Sequence, residues 1–324
     1  MTDFNPSLPY NDLPDLPPPT EQIESTQILK RCINARVALA ELKQAAELIP
    51  NSAVLVNALP LLEARASSEI ENIVTTTDKL FEFADIAEDK ADAATKEALR
   101  YRTALYEGTK MVRRGMLSTD MAIQICSTVK GIELDIRAES GTTLKSRMTG
   151  EVRSTPPVGQ QLLIEKLDNW ADFMHEAKDV DPLVRMAVQL YQFEAIHPFV
   201  DGNGRTGRIL NILFLLQQGL LDSPILYLSR YIIQNKAAYY RLLKTVTHEQ
   251  DWAPWIFFIL DGVEETCTWT TDKIKSIREL MDHTAEYVHG QLPKTYSREL
   301  VEVLFKQPYC RIGNLVDAGI AKRQ

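Results

Sequence analysis

The sequence predicts a mainly α-helical protein that carries one small β-hairpin. No glycine precedes Gly108, and residues 21–107 are rich in alanine, leucine, glutamate and lysine, a composition typical of consecutive helices. Apolar residues recur at helical spacing over residues 183–191, and the segment 225–289 continues a mixed apolar and polar helical pattern. Only residues 143–155 combine short extended segments with a glycine turn, which indicates strands. With 324 residues, the chain has the length of about two average domains.

The composition is that of an ordinary globular protein. With 45% hydrophobic and 25% charged residues, global disorder and collagen-like repeats are excluded. The four cysteines lack metal-type spacing, so we expect a reducing, cytoplasmic location without a disulfide framework or structural zinc. No signal-peptide pattern is present, and the longest apolar run, 212–216, is too short to cross a bilayer, so no membrane partner is expected. The net charge of −8 argues against a broad nucleic-acid-binding surface.

The first elements are an arm and a helical region. Six prolines lie within the first nineteen residues and predict an extended arm over residues 1–20, because proline cannot donate backbone hydrogen bonds. The region 21–107 follows, and within it six apolar residues at spacings of three and four predict a helix with one buried stripe. They are Leu59, Leu62, Ala66, Ile70, Ile73 and Val74. Ser67 and Glu71 lie four residues apart on the face beside that stripe.

The middle of the chain predicts a hairpin, a helix, a loop and a second helix. Thr149-Gly150 is expected to form the turn of an isolated hairpin, and the helical pattern resumes at residues 183–191. The loop DGNGRTG, residues 201–207, precedes RILNILFLL, residues 208–216. Because this last segment is apolar around nearly its whole circumference, we expect a central, buried helix.

The segment with the densest chemistry is HPFVDGNGRTGR, residues 197–208, for which three interpretations compete. Its glycines match the dinucleotide fingerprint G-x-G-x-x-G, but that fingerprint needs a preceding strand, and here the preceding segment is an amphipathic helix. Asp201-x-Asn203 could open an EF-hand loop, but the sixth position is threonine and the twelfth is isoleucine. A plain glycine-rich turn does not explain why an imidazole, a carboxylate, three glycines and two arginines share one loop.

This combination of residues suits a phosphate site. The glycines permit close approach of the backbone, and the free N–H groups of a helix N-terminus attract an anion. Arg205 and Arg208 lie three residues apart and can fork onto further phosphate oxygens. Asp201 can hold a Mg²⁺ ion that bridges the phosphates, and His197 can serve as a general base. Together these groups predict transfer of a phosphorus-containing group to a hydroxyl.

The same segment resembles the signature of the Fic family, H-P-F-x-[D/E]-G-N-G-R-x-x-R, at every specified position. The surrounding helices and hairpin agree with that fold over roughly residues 100–265. The resemblance implies a Fic-type helical bundle with a hairpin flap and a nucleotidyltransferase activity that uses ATP and Mg²⁺. In that activity, a Ser, Thr or Tyr hydroxyl of a protein target, or of the enzyme itself, attacks the α-phosphate of ATP. A homodimer is compatible with this resemblance.

Carried over by position, the resemblance makes His197 the catalytic base and Asp201 the metal ligand. The implied nucleotide-binding residues are Gly202, Asn203, Gly204, Arg205, Thr206, Gly207, Arg208 and Tyr240. In this set the Gly202–Gly204 segment forms an anion hole, the two arginines hold the β- and γ-phosphates, and Tyr240 lines the adenine pocket. Some relatives have an asparagine where Thr247 stands, so a base contact there is not implied.

The hairpin and the upstream helix have implied roles as well. The hairpin resembles the family's flap, on which Thr143 and Leu144 would dock a target by strand addition. SSEIEN, residues 67–72, matches the loose inhibitory motif [S/T]-x-x-x-E-[G/N], a pattern that also arises readily in glutamate-rich helices, where Glu71 would be a solvated residue. Upstream of an intact loop, the motif resembles the subclass with an N-terminal inhibitory helix.

In that subclass Ser67 and Glu71 are inhibitory, and Glu71 pairs with Arg208 where the γ-phosphate would lie. Resemblance to bifunctional relatives also implies that Glu71 could position water to remove AMP from a modified target.

The C-terminal segment resembles a partial winged helix-turn-helix that stops where its recognition helix would begin, so DNA is a partner only if that module is complete. The resulting division is an arm at 1–20, a helical region with the inhibitory helix at 21–107, a Fic catalytic domain at 108–289 and the partial module at 290–324. Two alternatives stay open: transfer of another nucleotide or phosphate group through the same loop, and a nucleotide-sensing DNA-binding regulator. An intact His197 favours the enzyme, since a sensor needs no base.

Overall fold

The computed structural model describes residues 4–51, 53–84, 90–138, 142–145, 150, 152–306 and 309–321. Over these residues the chain is mainly α-helical with one two-stranded antiparallel sheet, which confirms the predicted fold class. The helices are α1 (Thr20–Ile23), α2 (Thr26–Ala46), α3 (Ala53–Ile70), α4 (Thr77–Phe83), α5 (Ala93–Val112), α6 (Thr119–Lys130), α7 (Gln160–Glu176), α8 (Pro182–Ile196), α9 (Asn203–Gln217), α10 (Leu228–Gln234), α11 (Lys236–Glu249), α12 (Ala253–Gln291), α13 (Arg298–Lys306) and α14 (Ile312–Asp317). The strands are β1 (Leu144–Lys145) and β2 (Val152–Ser154).

The centre of the fold is the helix pair α8 and α9. Helix α9 is buried along nearly its whole length, as its apolar circumference predicts. A side chain at Gly207 would lie 3.2 Å from Leu190 and 3.3 Å from Phe193, so this glycine allows the two helices to approach closely. The loop that joins α8 to α9 is therefore held at both ends by buried helices.

Two buried tryptophans tie the surrounding helices to this pair. The indole N–H of Trp170 on α7 donates to Gln189 O at 3.1 Å, and that of Trp255 on α12 donates to Ala187 O at 2.7 Å. Burying an indole is favourable when its N–H finds an acceptor. Both contacts fix outer helices against the backbone of α8.

Local capping explains where several helices begin and end. The side chains of four residues accept hydrogen bonds from the first turns of α2, α5, α6 and α8. They are Ser25, Asp92, Ser118 and Asp181. Helix α6 ends at Gly131, whose φ of +70° is the left-handed conformation typical of a helix C-terminus. Lys130, the last residue of α6, thereby acquires a fixed position.

Helix α3 is shorter than the apolar stripe predicts. It ends at Ile70, and Asn72 adopts a φ of +62°, a left-handed conformation that a right-handed helix cannot continue. Ile73 and Val74 lie beyond this end, and Val74 is 67% exposed, so the prediction of a buried helical stripe is wrong for these two residues. Glu71 consequently stands at the end of the helix.

The proline-rich arm packs against both the helices and the hairpin. Leu13 and Leu16 are buried in the main core, and the Asn169 side chain bonds the Leu16 backbone N–H at 2.8 Å and its C=O at 2.9 Å. The Tyr10 N–H donates to Thr155 O at 2.9 Å, directly after β2. The arm thus connects the β-hairpin to the helical core.

Parts of the predicted organisation fall outside the described residues. They include residues 1–3 of the arm, Thr149 of the hairpin turn, and residues 307–308 and 322–324 of the C-terminal module. Helix α5 runs through the predicted boundary at 107/108, and α12 runs through the boundary at 289/290. Among the described residues, no helix has the length and apolar character needed to cross a membrane.

Candidate active site

His197 lies at the C-terminal end of α8 in a left-handed conformation, with a φ of +50°. Arg137 fixes this end of the helix, since its buried guanidinium donates to three backbone carbonyls. They belong to Pro157, Ile196 and His197. The Arg137 backbone N–H also donates to Pro198 O at 2.9 Å. Arg137 therefore fixes the backbone of His197 and its neighbours.

The imidazole of His197 is neutral near pH 7. Burial, together with the positive charge of Arg137, lowers its pKa to about 4. Its Nδ1 atom is buried and has no hydrogen-bond partner within the described part of the chain. A neutral imidazole carries a free lone pair, so His197 can accept a proton from a bound hydroxyl.

The N-terminus of α9 offers backbone donors to an anion. Gly202 caps the helix with a φ of +91°, a conformation that favours glycine. The first intrahelical bond runs from the Thr206 N–H to Gly202 O, so the N–H groups of residues 203–205 precede it and can bind an anion. The Asn203 side chain accepts from the Phe199 N–H at 2.8 Å and donates to Phe199 O at 2.7 Å. Because Phe199 is completely buried, this clamp makes the loop rigid.

Asp201 and Arg205 belong to a ring of four charges. The Asp201 side chain is 63% exposed, and its Oδ2 lies 2.5 Å from Lys130 Nζ. Lys130 also contacts Glu97 Oε1 at 3.0 Å, and the same Glu97 oxygen pairs with the buried Arg205, whose Nη2 is 3.5 Å from Asp201 Oδ1. Burial raises the pKa of Asp201, but its hydrogen bond to Lys130 and the Arg205 charge outweigh this effect and lower that pKa below its usual value. Asp201 is therefore an ionised carboxylate near neutral pH.

Arg208 contacts both Ser67 and Glu71. Its Nε donates to Ser67 Oγ at 2.8 Å, while Nη2 donates to Ser67 O at 3.0 Å and to Glu71 Oε1 at 2.9 Å. A side chain at Gly204 would collide with the Glu71 carboxylate and lie 2.9 Å from Arg208 Nη1, a buried atom without a hydrogen bond among the described residues. The structure thus brings Glu71 to the mouth of the anion site, beside an unsatisfied guanidinium donor.

A further carboxylate, Glu194, lines the same space. Its Oε1 accepts from the Tyr239 hydroxyl at 3.1 Å and lies 3.8 Å from Arg208 Nη1. Burial and the nearby Glu71 charge raise the pKa of Glu194 to about 7, although Arg208 and the Tyr239 hydrogen bond oppose this change. Arg208 therefore has two acidic neighbours at the anion site.

The remaining predicted site residues lie around this centre. Tyr240 lies beneath the guanidinium of Arg153 on strand β2, and the distance from Arg153 Cζ to the ring centroid is 4.3 Å. Thr143 is exposed and Leu144 is half-buried at the start of β1, whereas Thr206 is completely buried. Gly207 lies at the α8–α9 contact, and Thr247 Oγ1 lies 3.0 Å from the hydroxyl of Tyr191. Direct nucleotide or target contacts by these residues stay predictions.

The donor set around Asp201 fits a metal that the substrate helps to bind. Within the described ranges, no group of three or more His, Cys, Asp or Glu residues is arranged to hold a metal by itself. Magnesium sites in phosphate-transferring enzymes commonly use one or two carboxylates together with phosphate oxygens and water. Asp201 is exposed, ionised and close to the anion-binding helix end, and the Lys130 ammonium shows that its oxygen accepts a cation.

Sequence reasoning missed four residues of this site: Glu97, Lys130, Arg137 and Glu194. Glu97, Lys130 and Arg137 come from distant parts of the chain, and no local pattern marks them. Glu194 precedes His197 by three residues, so a helical reading of that segment could have placed it on the face that leads to the loop.

Glu194 provides a test of the site's electrostatics that does not depend on activity. Because its folded-state pKa is raised from 4.5 to about 7, the folded protein holds the proton more tightly, and stability is lost as the pH rises through this interval. In Glu194→Gln the side chain is neutral at every pH, so the variant does not lose stability in this way. Relative to wild type, the variant should gain on the order of 2–3 kcal/mol in unfolding free energy between pH 4.5 and pH 8.

Denaturant unfolding at several pH values measures this difference, with Glu69→Gln as a control that removes a more exposed carboxylate, 35% accessible. A constant difference between wild type and Glu194→Gln across the pH range would show that folding does not raise the pKa of Glu194.

Three protein-family models match parts of this chain. The model of the Fic/DOC family matches residues 119–215, that of the Fic/DOC family N-terminal region matches residues 29–110, and that of the protein adenylyltransferase SoFic-like C-terminal domain matches residues 280–324. A protein adenylyltransferase Fic of Drosophila melanogaster is 27% identical over 203 residues, which cover 56% of this chain and 40% of the relative. That of Drosophila ananassae is 32% identical over 116 residues, covering 35% of this chain and 22% of the relative. The chain thus spans less than half of the length of these curated relatives.

Among solved structures, a Fic family protein from Desulfovibrio desulfuricans superimposes with a TM-score of 0.65 at 19% identity. The match covers 80% of this chain and 77% of that one, and at this identity it establishes the shared fold. The family models cover helix α3, the loop between α8 and α9 and the C-terminal helices. The chain belongs to the Fic/DOC family.

Proposed function

We propose that this chain is a protein adenylyltransferase, which transfers AMP from ATP to a Ser, Thr or Tyr hydroxyl of a protein, itself included. The observation that carries the proposal is the neutral His197 imidazole, held by a clamped loop next to the glycine-lined N-terminus of α9. This geometry suits proton removal beside a bound phosphate chain. The relatives named protein adenylyltransferase Fic support the same reaction.

The proposed reaction is an in-line displacement at the α-phosphorus of ATP. His197 takes the proton of the target hydroxyl, the hydroxyl oxygen forms a bond to the α-phosphorus, and the bond to the pyrophosphate oxygen breaks. The N–H groups of residues 203–205 hold phosphate oxygens, and the unsatisfied Nη1 of Arg208 offers a further donor. Pyrophosphate leaves with the electron pair of the broken bond.

Asp201 is the residue that would hold Mg²⁺ against the phosphates. When bound, the ion would offset negative charge on the phosphate oxygens. Asp201 is suited to this role because it is ionised and its side chain is 63% exposed. Its backbone position is set by the clamp between Asn203 and Phe199 on either side of it.

In the proposed resting state, Glu71 restrains this site. Its carboxylate pairs with Arg208 and fills the space beside Gly204 that a phosphate oxygen would need. A nucleotide that enters must therefore place its phosphates around Glu71 or displace it, and misaligned phosphates slow in-line attack. This contact supports autoinhibition by the end of helix α3.

Mass spectrometry of the purified chain tests the proposal. After incubation with ATP and Mg²⁺, wild-type protein should gain the mass of one or more AMP groups on hydroxyl side chains. Asp201→Ala should lose the metal-dependent part of this modification, because it removes the carboxylate beside the anion site.

Two results would overturn parts of this account. An Asp201→Ala variant that is equally active in Mg²⁺ and in EDTA would make Asp201 a structural residue. Addition of UMP or phosphate from the corresponding donors, with ATP inactive, would support the alternative Fic-type transferase instead.

A further inference from the structure

Lys130 is an active-site cation for which the proposed mechanism has no use. Its ammonium contacts two carboxylates on different elements, Glu97 of α5 at 3.0 Å and Asp201 of the loop at 2.5 Å. The Lys130 side chain is 21% exposed, so its charge lies at the edge of the site. A lysine on the metal-binding carboxylate requires an explanation.

The end of helix α6 positions the Lys130 ammonium beside Asp201. Lys130 is the last residue of α6, and its carbonyl accepts from Arg100 Nη1 at 3.1 Å. Its aliphatic stem runs along Gly202, where a side chain would lie 3.4–3.5 Å from Lys130 Cδ and Cγ. The left-handed glycine that opens the anion site therefore also gives room to the lysine stem.

The contact places two cations in competition for one oxygen. Lys130 Nζ lies 2.5 Å from Asp201 Oδ2, while Oδ1 already accepts from the Gly202 N–H at 2.6 Å. A divalent cation that coordinates Asp201 must share or displace the ammonium at Oδ2. Glu97 gives the displaced ammonium another partner, because its Oε1 is already 3.0 Å from Nζ.

We propose that Lys130, retained by Glu97, is a positioning residue that neutralises Asp201 in the empty site and competes with the divalent cation of the nucleotide for that carboxylate. This inference rests on the proposed function for the identity of the nucleotide. Lys130 then raises the metal concentration that the site requires, while its charge still attracts the phosphates.

Lys130 is expected to raise the metal concentration that the site requires and to strengthen nucleotide binding without metal. Lys130→Met should therefore change these two quantities in opposite directions. Binding of a fluorescent ATP derivative to the full chain is titrated in EDTA and with increasing Mn²⁺. The Mn²⁺ concentration that gives half of the metal-induced change should fall by about two- to fivefold in the variant, because a partly exposed ion pair no longer competes. The dissociation constant in EDTA should rise by a similar factor, because a positive charge near the phosphates is lost.

Matched variants separate this role from damage to the fold. Lys130→Arg keeps the charge and should remain near wild type in both titrations, and Lys110→Met removes an exposed α5 lysine that stacks on Tyr106. A Lys130→Met variant that binds the nucleotide in EDTA and responds to Mn²⁺ as wild type does has no competing lysine. This result overturns the inference, as does a Mn²⁺ requirement that is higher in the variant than in wild type.

The same titrations distinguish this inference from the proposed function. If wild type binds the nucleotide with Mn²⁺ but adds no AMP to any protein, only the proposed transfer fails. If wild type transfers AMP while Lys130→Met has an unchanged Mn²⁺ requirement, only the role of Lys130 fails. Wild-type protein that binds no nucleotide under either condition overturns both.

Discussion

His197→Ala should reduce AMP transfer by roughly 10²–10⁴-fold, the range that general-base catalysis contributes. Burial and Arg137 keep the ring neutral in the free protein by lowering its pKa to about 4. The negative charge of a bound triphosphate acts in the opposite direction and raises that pKa, so the bound complex contains a stronger base. Removing the imidazole leaves the hydroxyl proton without an acceptor. Mass spectrometry of time courses with ATP and Mg²⁺ measures the loss.

The backbone of His197 needs its own control, because residues other than glycine and asparagine are strained in the left-handed conformation. His197→Asn serves this purpose, since asparagine tolerates a φ of +50° better than alanine does. Both variants should bind the nucleotide nearly as wild type does, because the N–H donors of α9 and Arg208 are unchanged. Transfer at the wild-type rate by His197→Asn would remove His197 from the mechanism.

The loop between α8 and α9 could be predicted from one segment because the contacts that shape it are local. The Asn203 side chain closes this loop on Phe199, and Gly202 supplies a left-handed cap, so local residues position the backbone donors of the anion site. Helix α9 was predictable for a related reason, since an apolar circumference can be buried only at the centre of a bundle.

The surroundings of that loop could not be predicted from the same evidence. Glu97, Lys130 and Arg137 contact Arg205, Asp201 and His197, respectively. These partners lie 60 to 108 residues away in the sequence, and only packing brings them together. The end of α3 at Ile70 was missed because apolar spacing continues through Ile73 and Val74, while the left-handed Asn72 interrupts the helix. A periodic pattern carries no information about such a local backbone change.

Glu71→Gly should raise self-modification by about tenfold or more. The Glu71 carboxylate accepts a hydrogen bond from Arg208 at 2.9 Å, and hydrogen bonds to charged groups contribute about 1.5–3 kcal/mol. Since the Glu71 side chain is 32% exposed, solvent screening favours the lower part of this range. Each 1.4 kcal/mol corresponds to about a factor of ten in the population of productive complexes.

Arg208 should remain in place in this variant, which is why a gain is expected and not a loss. Ser67 holds its guanidinium at 2.8 Å through Oγ and at 3.0 Å through the backbone carbonyl, independently of Glu71. The space beside Gly204 then opens to a phosphate oxygen. A matched Glu69→Gly variant removes a carboxylate two residues away that pairs with Arg65, and it should not increase transfer.

The Glu71→Gly variant also distinguishes two roles of Glu71: restraint of the bound nucleotide and removal of AMP from a modified protein. If Glu71 also positions a water molecule, Glu71→Gly should gain transfer and lose the ability to release AMP from purified, modified protein. If it only restrains the nucleotide, wild type and variant should both leave modified protein intact. These assays are independent because release is measured without ATP. Should Glu71→Gly alter neither transfer nor release, the pair with Arg208 is a structural contact at the end of α3, and access of the γ-phosphate to Arg208 is not what limits the reaction.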